Sequence, residues 1–70
     1  MNLTQAQIEQ EYIIKSIQTD DEELCAFLFS LGCYESQKIT VITHLKGGCI
    51  VSVKDARYHI DKALAQSIKI

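Results

Sequence analysis

Cys25, Cys33, Cys49, His44 and His59 are the side chains of this sequence that could hold a soft metal ion or build a thiol nucleophile. Their spacing argues against both. Structural metal sites pair Cys residues two to four positions apart, whereas the three thiols here have seven and fifteen residues between them. An odd number of widely spaced cysteines is no disulfide framework, and they read as reduced thiols. A cysteine hydrolase needs a base within hydrogen-bond reach and a third group to orient it, and no local motif supplies them. Asp20-Asp21-Glu22-Glu23 lacks the alternating oxygen ligands, central Gly and terminal Glu of a calcium loop, so capping of a helix is the better reading. Gly47-Gly48 lacks the Lys-Ser/Thr of a phosphate loop and reads as a hairpin turn. The expectation is a protein that is not an enzyme, with no cofactor and no dedicated metal site. Exposed groups could still pick up a transition metal weakly between molecules.

Elements must be found in a chain of 70 residues with 47% apolar content and no proline. A chain of this size is expected to form one domain, residues 1–70, burying roughly 60% of the surface its unfolded form exposes, which leaves little room for an internal active-site cavity. Net charge is −2. No electrostatic field therefore favours phosphates, and Lys38, Lys46, Lys54, Arg57, Lys62 and Lys69 are scattered singly without interleaved aromatics, so nucleic acid is not an expected partner. Some of these lysines can defend exposed strand edges. Apolar runs such as Ala26 to Phe29 fall far short of the ~20 residues that span a bilayer. No basic segment followed by an apolar core opens the chain, and a cytoplasmic location is expected.

Residues Tyr12 to Ile17 alternate and are rich in β-branched side chains, predicting a strand; apolar groups on both faces suggest that it is central. The acids after it predict a helix over 21–31, with Asp20 as the cap and Glu23 reaching back. Leu24, Phe27, Leu28 and Leu31 form its apolar stripe, and Gly32 stands where a left-handed C-terminal cap is wanted. At 100° per residue, Cys25 lies about 110° and Phe29 about 150° from the centre of that stripe. Either the fold wraps far enough to cover them, or Cys25, Ala26 and Phe29 form a second, adhesive stripe for a partner.

Ile39 to Leu45 and Cys49 to Lys54 flank a hairpin turn. A three-residue loop, Lys46-Gly47-Gly48, matches like with like: Leu45 opposite Cys49, Thr43 opposite Val51 and Val41 opposite Val53 on one face. In that register His44 and Cys49 point to opposite sides of the sheet. Arg57 to Ile60 predicts a short strand, Asp61 caps a short helical turn over 61–66, and Ile68-Lys69-Ile70 closes with strand alternation. The fold class is mainly β with short helices: a small, partly open barrel of about five strands.

In order and spacing, Leu3, Tyr12, Ile14, Ile17, Leu28, Leu31-Gly32-Cys33, Ile39-Thr40-Val41, Gly47-Gly48, Val51, Val53, Ile60, Ala65 and Ile68-Lys69-Ile70 resemble the FeoA-type ferrous iron transport proteins. Leu28 to Val41 is the most specific segment. Where such proteins usually carry turn glycines, before the first strand, after the helix and after the hairpin, this chain has Glu9, Ser36 and Asp55. Only Gly adopts positive φ without cost, although Asp and Asn tolerate it.

The resemblance implies an SH3-like β-barrel and a cytoplasmic interaction module, recruited to the inner face of the membrane without inserting into it, that supports bacterial ferrous iron uptake. Its implied partner is the cytoplasmic part of the membrane GTPase permease FeoB, with weak self-association allowed, and Cys25, Ala26 and Phe29 are the candidate contact residues. The alternative is a metal-responsive regulatory domain resembling the SH3-like C-terminal part of iron-dependent repressors. Because the resemblance runs from Leu3 to Ile70 after Met1, a free-standing module is the favoured expectation. A third class, a small thiol enzyme, would require a cysteine of low pKa.

Overall fold

Asn2 begins the fold by capping a 3-10 turn, Leu3–Gln5: its side chain accepts the Thr4 N–H at 2.9 Å while Gln5 Oε1 accepts the Asn2 N–H at 3.0 Å. The reciprocal box expected around Asp20 and Glu23 forms here instead, at Asn2 and Gln5, and the Glu23 side chain does not reach back to its helix start. The computed structural model describes residues 1–70. Its strands are β1 (Glu11–Ile13), β2 (Ser16–Ile17), β3 (Lys38–Leu45), β4 (Gly48–Val53), β5 (Ala56–Asp61) and β6 (Ile68–Lys69), with helices α1 (Glu22–Leu31) and α2 (Lys62–Ser67). A four-stranded antiparallel sheet runs β1-β3-β4-β5, and β2 pairs with β6 in a second, two-stranded sheet.

The segment expected as one central strand, Tyr12 to Ile17, is divided between these sheets, and β1 is an edge. The division falls at Ile14 and Lys15. The Ile14 N–H donates to the Gln37 carbonyl at 2.8 Å, and the Lys15 N–H donates to the Lys69 carbonyl at 2.7 Å. The chain thus turns a barrel corner there, with Ile14 buried inside it. A segment that serves two sheets carries apolar groups on both faces without being central, and its division raises the strand number from five to six.

The β3–β4 hairpin departs from the expected register. Lys46 and Gly47 alone form the loop, with Leu45 opposite Gly48, His44 opposite Cys49, Thr43 opposite Ile50 and Val41 opposite Val51. A bulge between Val41 and Thr43 inserts one extra residue, so Val41 and Val51 share the core face although the tip is shifted. Leu45, expected inward, is exposed.

Glu9, Ser36 and Asp55, at the turns where the resemblance implies glycine, all adopt positive φ, at 65°, 74° and 67°. Each of these L residues holds a left-handed turn at an energetic cost. Lys54 (φ 50°) and Asp55 form the two-residue β4–β5 turn, where positive φ at both positions matches the right-handed twist of the strands.

The core is a cluster of 15 buried residues, among them Leu3, Ile14, Leu28, Ile39, Val41, Val51, Val53, Ile60 and Ile68. It draws on both sheets and both helices. Cys33 and Cys49 lie in it as small apolar side chains. α2 forms as expected, with Asp61 Oδ1 accepting the Leu64 N–H at 2.8 Å.

Candidate interaction surface

The helix carrying the candidate contact residues is set by its two ends. Asp21, rather than Asp20, is its cap: Asp21 Oδ1 accepts the N–H groups of Glu23 and Leu24 at 3.0 and 3.2 Å. Thr19 Oγ1 accepts the Asp21 N–H at 3.2 Å, holding Asp21 extended one residue later than expected. At the other end Gly32 adopts the left-handed conformation at φ 90°, and its N–H donates to the carbonyls of Leu28 and Phe29.

Between these ends α1 sits shallowly on the barrel. Leu28 is its sole fully buried side chain, with Leu24 and Leu31 partly packed against the core. Phe27, expected in the buried stripe, is 52% exposed, and Phe29 is 65% exposed. Ala26 is exposed and Cys25 half-buried. Cys25 and Phe29 are four residues apart, and Ala26 and Phe29 three, so the structure brings the candidate residues onto one helix face.

Tyr34 and Lys54 extend that face and were not among the candidates. The rings of Phe29 and Tyr34 pack with centroids 4.9 Å apart, and Lys54 Nζ donates to the Tyr34 hydroxyl at 2.8 Å. Nζ lies 5.0 Å from the ring centroid, so the ammonium sits at the phenol's polar end and the contact is a hydrogen bond more than a cation–π interaction. No sequence spacing signals this ladder, because Lys54 reaches it from a turn 20 residues away.

The His44 and Cys49 side chains lie away from this face. His44 and Cys49, expected on opposite sides of the sheet, face each other across β3 and β4 and line one hollow of about 240 Å³. The His44 Nε2–H donates to the Ala6 carbonyl at 2.8 Å. No three His, Cys, Asp or Glu side chains gather as a metal-ligand set. Burial pushes the Cys33 and Cys49 thiols up, the opposite of what an activated nucleophile requires. A larger hollow of about 430 Å³ is lined only by polar side chains, Lys38, Thr40, Ser52 and Asp55 among them. No helix is long and apolar enough to cross a membrane.

Two small sheets closed around one core, with a peripheral helix showing aromatic side chains, define a small SH3-like β-barrel domain. The FeoA domain model matches residues 1–70, and the chain belongs to that family, whose domains are related to ferrous iron transport. No curated protein sequence matches the chain. Among solved structures, an iron uptake regulatory protein (FeoA) is 25% identical with a TM-score of 0.83, over 96% of this chain and 88% of that one. A zinc-complexed FeoA from Stenotrophomonas maltophilia, described as a prokaryotic SH3 domain protein, is 15% identical with a TM-score of 0.84, over 99% and 87%. A manganese-dependent transcriptional repressor shares the fold at 17% identity and a TM-score of 0.83, over 97% of this chain and 39% of the repressor.

Proposed function

We propose that this domain is a non-enzymatic interaction module that supports or regulates ferrous iron uptake by binding the cytoplasmic part of the membrane GTPase permease FeoB through the α1 face. The observation that carries the reading is Phe29, 65% exposed on a helix whose only buried anchor is Leu28. Aromatic side chains of this kind bury about 150–250 Å² and dominate interface energetics. Cys25 and Ala26 supply a flat, low-entropy surround for the ring. In this reading the domain is recruited to the inner face of the membrane by its partner.

The test is a pull-down of the domain against the cytoplasmic part of FeoB, with the Phe29→Ser variant alongside and excess chelator in half the samples. Retention that survives chelator and weakens by about thirtyfold in the variant, equivalent to about 2 kcal/mol, is the expected outcome. Failure of a folded wild-type domain to bind overturns it.

A second reading, a metal-responsive regulatory domain, is favoured by the fold shared with the manganese-dependent repressor. His44 and Cys49 in one hollow are the donors it would draw on, completed by groups from another domain or molecule.

A further inference from the structure

β5 ends the four-stranded sheet, and six residues of its outer side have no strand beside them. The phase of its hydrogen bonds follows from one contact. The Lys62 N–H donates to the Gly47 carbonyl at 2.9 Å, and the β4–β5 register runs without a shift from Gly48 opposite Asp61 to Val53 opposite Ala56. In an antiparallel ladder the backbone groups of alternate residues face alternate sides. Ala56, Tyr58 and Ile60 therefore bond to β4, and the main-chain groups of Arg57 and His59 face outward together with the Asp61 N–H, while the Asp61 carbonyl begins α2 as its cap residue. No turn, loop or cap hydrogen bond uses the N–H or carbonyl of Arg57 or His59.

The side chains of Arg57, His59 and Asp61 are exposed; Asp61 Oδ1 already accepts the Leu64 N–H as the α2 cap, which leaves its Oδ2 for a partner. Their β4 neighbours on that face are Ser52, Ile50 and Gly48, all uncharged, and Arg57 has no ion pair within the chain. Edge strands are ordinarily defended by charge. Here the charges are arranged so that the edge is complementary to itself. Two β5 strands laid antiparallel about His59 place Arg57 opposite Asp61 of the other copy, Tyr58 opposite Ile60, and His59 opposite His59. Sliding the pairing by two residues in one direction sets Arg57 against His59, which loses both ion pairs; sliding by one turns outward groups inward.

We propose that the free edge of β5 pairs with the same edge of a second copy of this chain, antiparallel and centred on His59, to form a two-fold dimer with a continuous sheet. The His59 residues exchange N–H···O=C bonds across the axis, and the Arg57–Asp61 pairs fix the register on both sides. The surface is separate from the α1 face and does not depend on it.

Cross-linking tests the register directly. Directly opposed, hydrogen-bonded residues have Cα atoms about 5.5 Å apart, within the span of a disulfide, whereas two copies of residue 57 in this register lie more than about 12 Å apart. In a Cys25→Ser background, where Cys33 and Cys49 remain buried, His59→Cys should form a disulfide-linked dimer under oxidised glutathione about tenfold faster than Arg57→Cys. Equal rates, a faster Arg57→Cys, or no dimer from either overturns the proposal. In the cysteine-intact protein, the sedimentation coefficient should rise with concentration, and the rise should vanish in His59→Pro, which removes the outward N–H and no bond to β4. If circular dichroism shows that the proline variant is unfolded, the cross-linking rates decide.

Discussion

Lys54 crosses Gly32: an added Cβ at Gly32 would lie 3.1 Å from Lys54 Cδ and 3.5 Å from Val53 Cγ1. The glycine at the end of α1 thus serves both the left-handed cap and the path of the lysine stem to Tyr34. Gly32→Ala is expected to destabilise the domain by about 1–2 kcal/mol, the cost of placing an L side chain at positive φ. Because backbone strain outweighs the yielding lysine stem, most of that loss should persist in a Lys54→Ala background. Thermal melts of the four proteins check this, with about 4–8 °C expected per kcal/mol.

Leu28 and Phe29 are neighbours in sequence with opposite roles. Leu28→Ala, which empties a fully buried site, should cost about 2–5 kcal/mol in urea unfolding. Phe29→Ser should cost no more than about 1 kcal/mol, since it loses an exposed aromatic pair with Tyr34. A Phe29→Ser loss as large as that of Leu28→Ala would show that the ring is core and remove the basis for the docking face.

Glu9 and Ser36 occupy left-handed turns without the freedom of glycine. Glu9→Gly and Ser36→Gly should each stabilise the domain by about 0.5–1 kcal/mol: relief of about 1–2 kcal/mol of strain, less the entropy glycine returns to the unfolded chain. Asp55→Gly should gain less, because aspartate tolerates this conformation better. Denaturant midpoints at constant slope measure each change.

Gly47 and Gly48 look interchangeable in sequence and are not. A Cβ at Gly47 meets nothing within 4 Å, while one at Gly48 would stand 2.0 Å from the Ile60 carbonyl oxygen. Gly47→Ala should leave the melting temperature nearly unchanged. Gly48→Ala forces β4 and β5 apart and should cost more than about 3 kcal/mol, within the range of severe overpacking.

Cys33 and Cys49 are held above the ordinary thiol range by desolvation. The folded state keeps these protons after the unfolded chain has released them, so stability is fully present below the unfolded thiol pKa, near about 8.5, and falls as pH rises toward the raised folded values. The decline should not exceed about 1.4 kcal/mol per pH unit per thiol. Urea titrations from pH 7 to 10, compared with a Cys33→Ala/Cys49→Ala variant, isolate it. At pH 8 a thiol reagent should label Cys25 first in the folded protein.

Much of the fold was legible because it rests on local chemistry. The stop of α1 at Gly32, the Asp61 cap of α2 and the strands around Lys46-Gly47 need only the neighbouring residues to specify them. Legibility failed where an element's environment is made by distant chain. Tyr12 to Ile17 looks central because it serves two sheets, and the bulge after Val41 defeats a register drawn from strict alternation.

The candidate surface divides along the same line. Sequence periodicity determined that Cys25, Ala26 and Phe29 leave the leucine stripe, because the angle between helical residues is a property of the helix alone. Whether the barrel covers them was decided only by the tertiary structure, which seats α1 shallowly on Leu28 and leaves Phe27 exposed as well. The same holds for Lys54 reaching Tyr34 and for the self-complementary edge of β5. Residue types and order belong to the sequence, but which side of a strand or helix lacks a neighbour depends on how far the rest of a 70-residue chain can wrap.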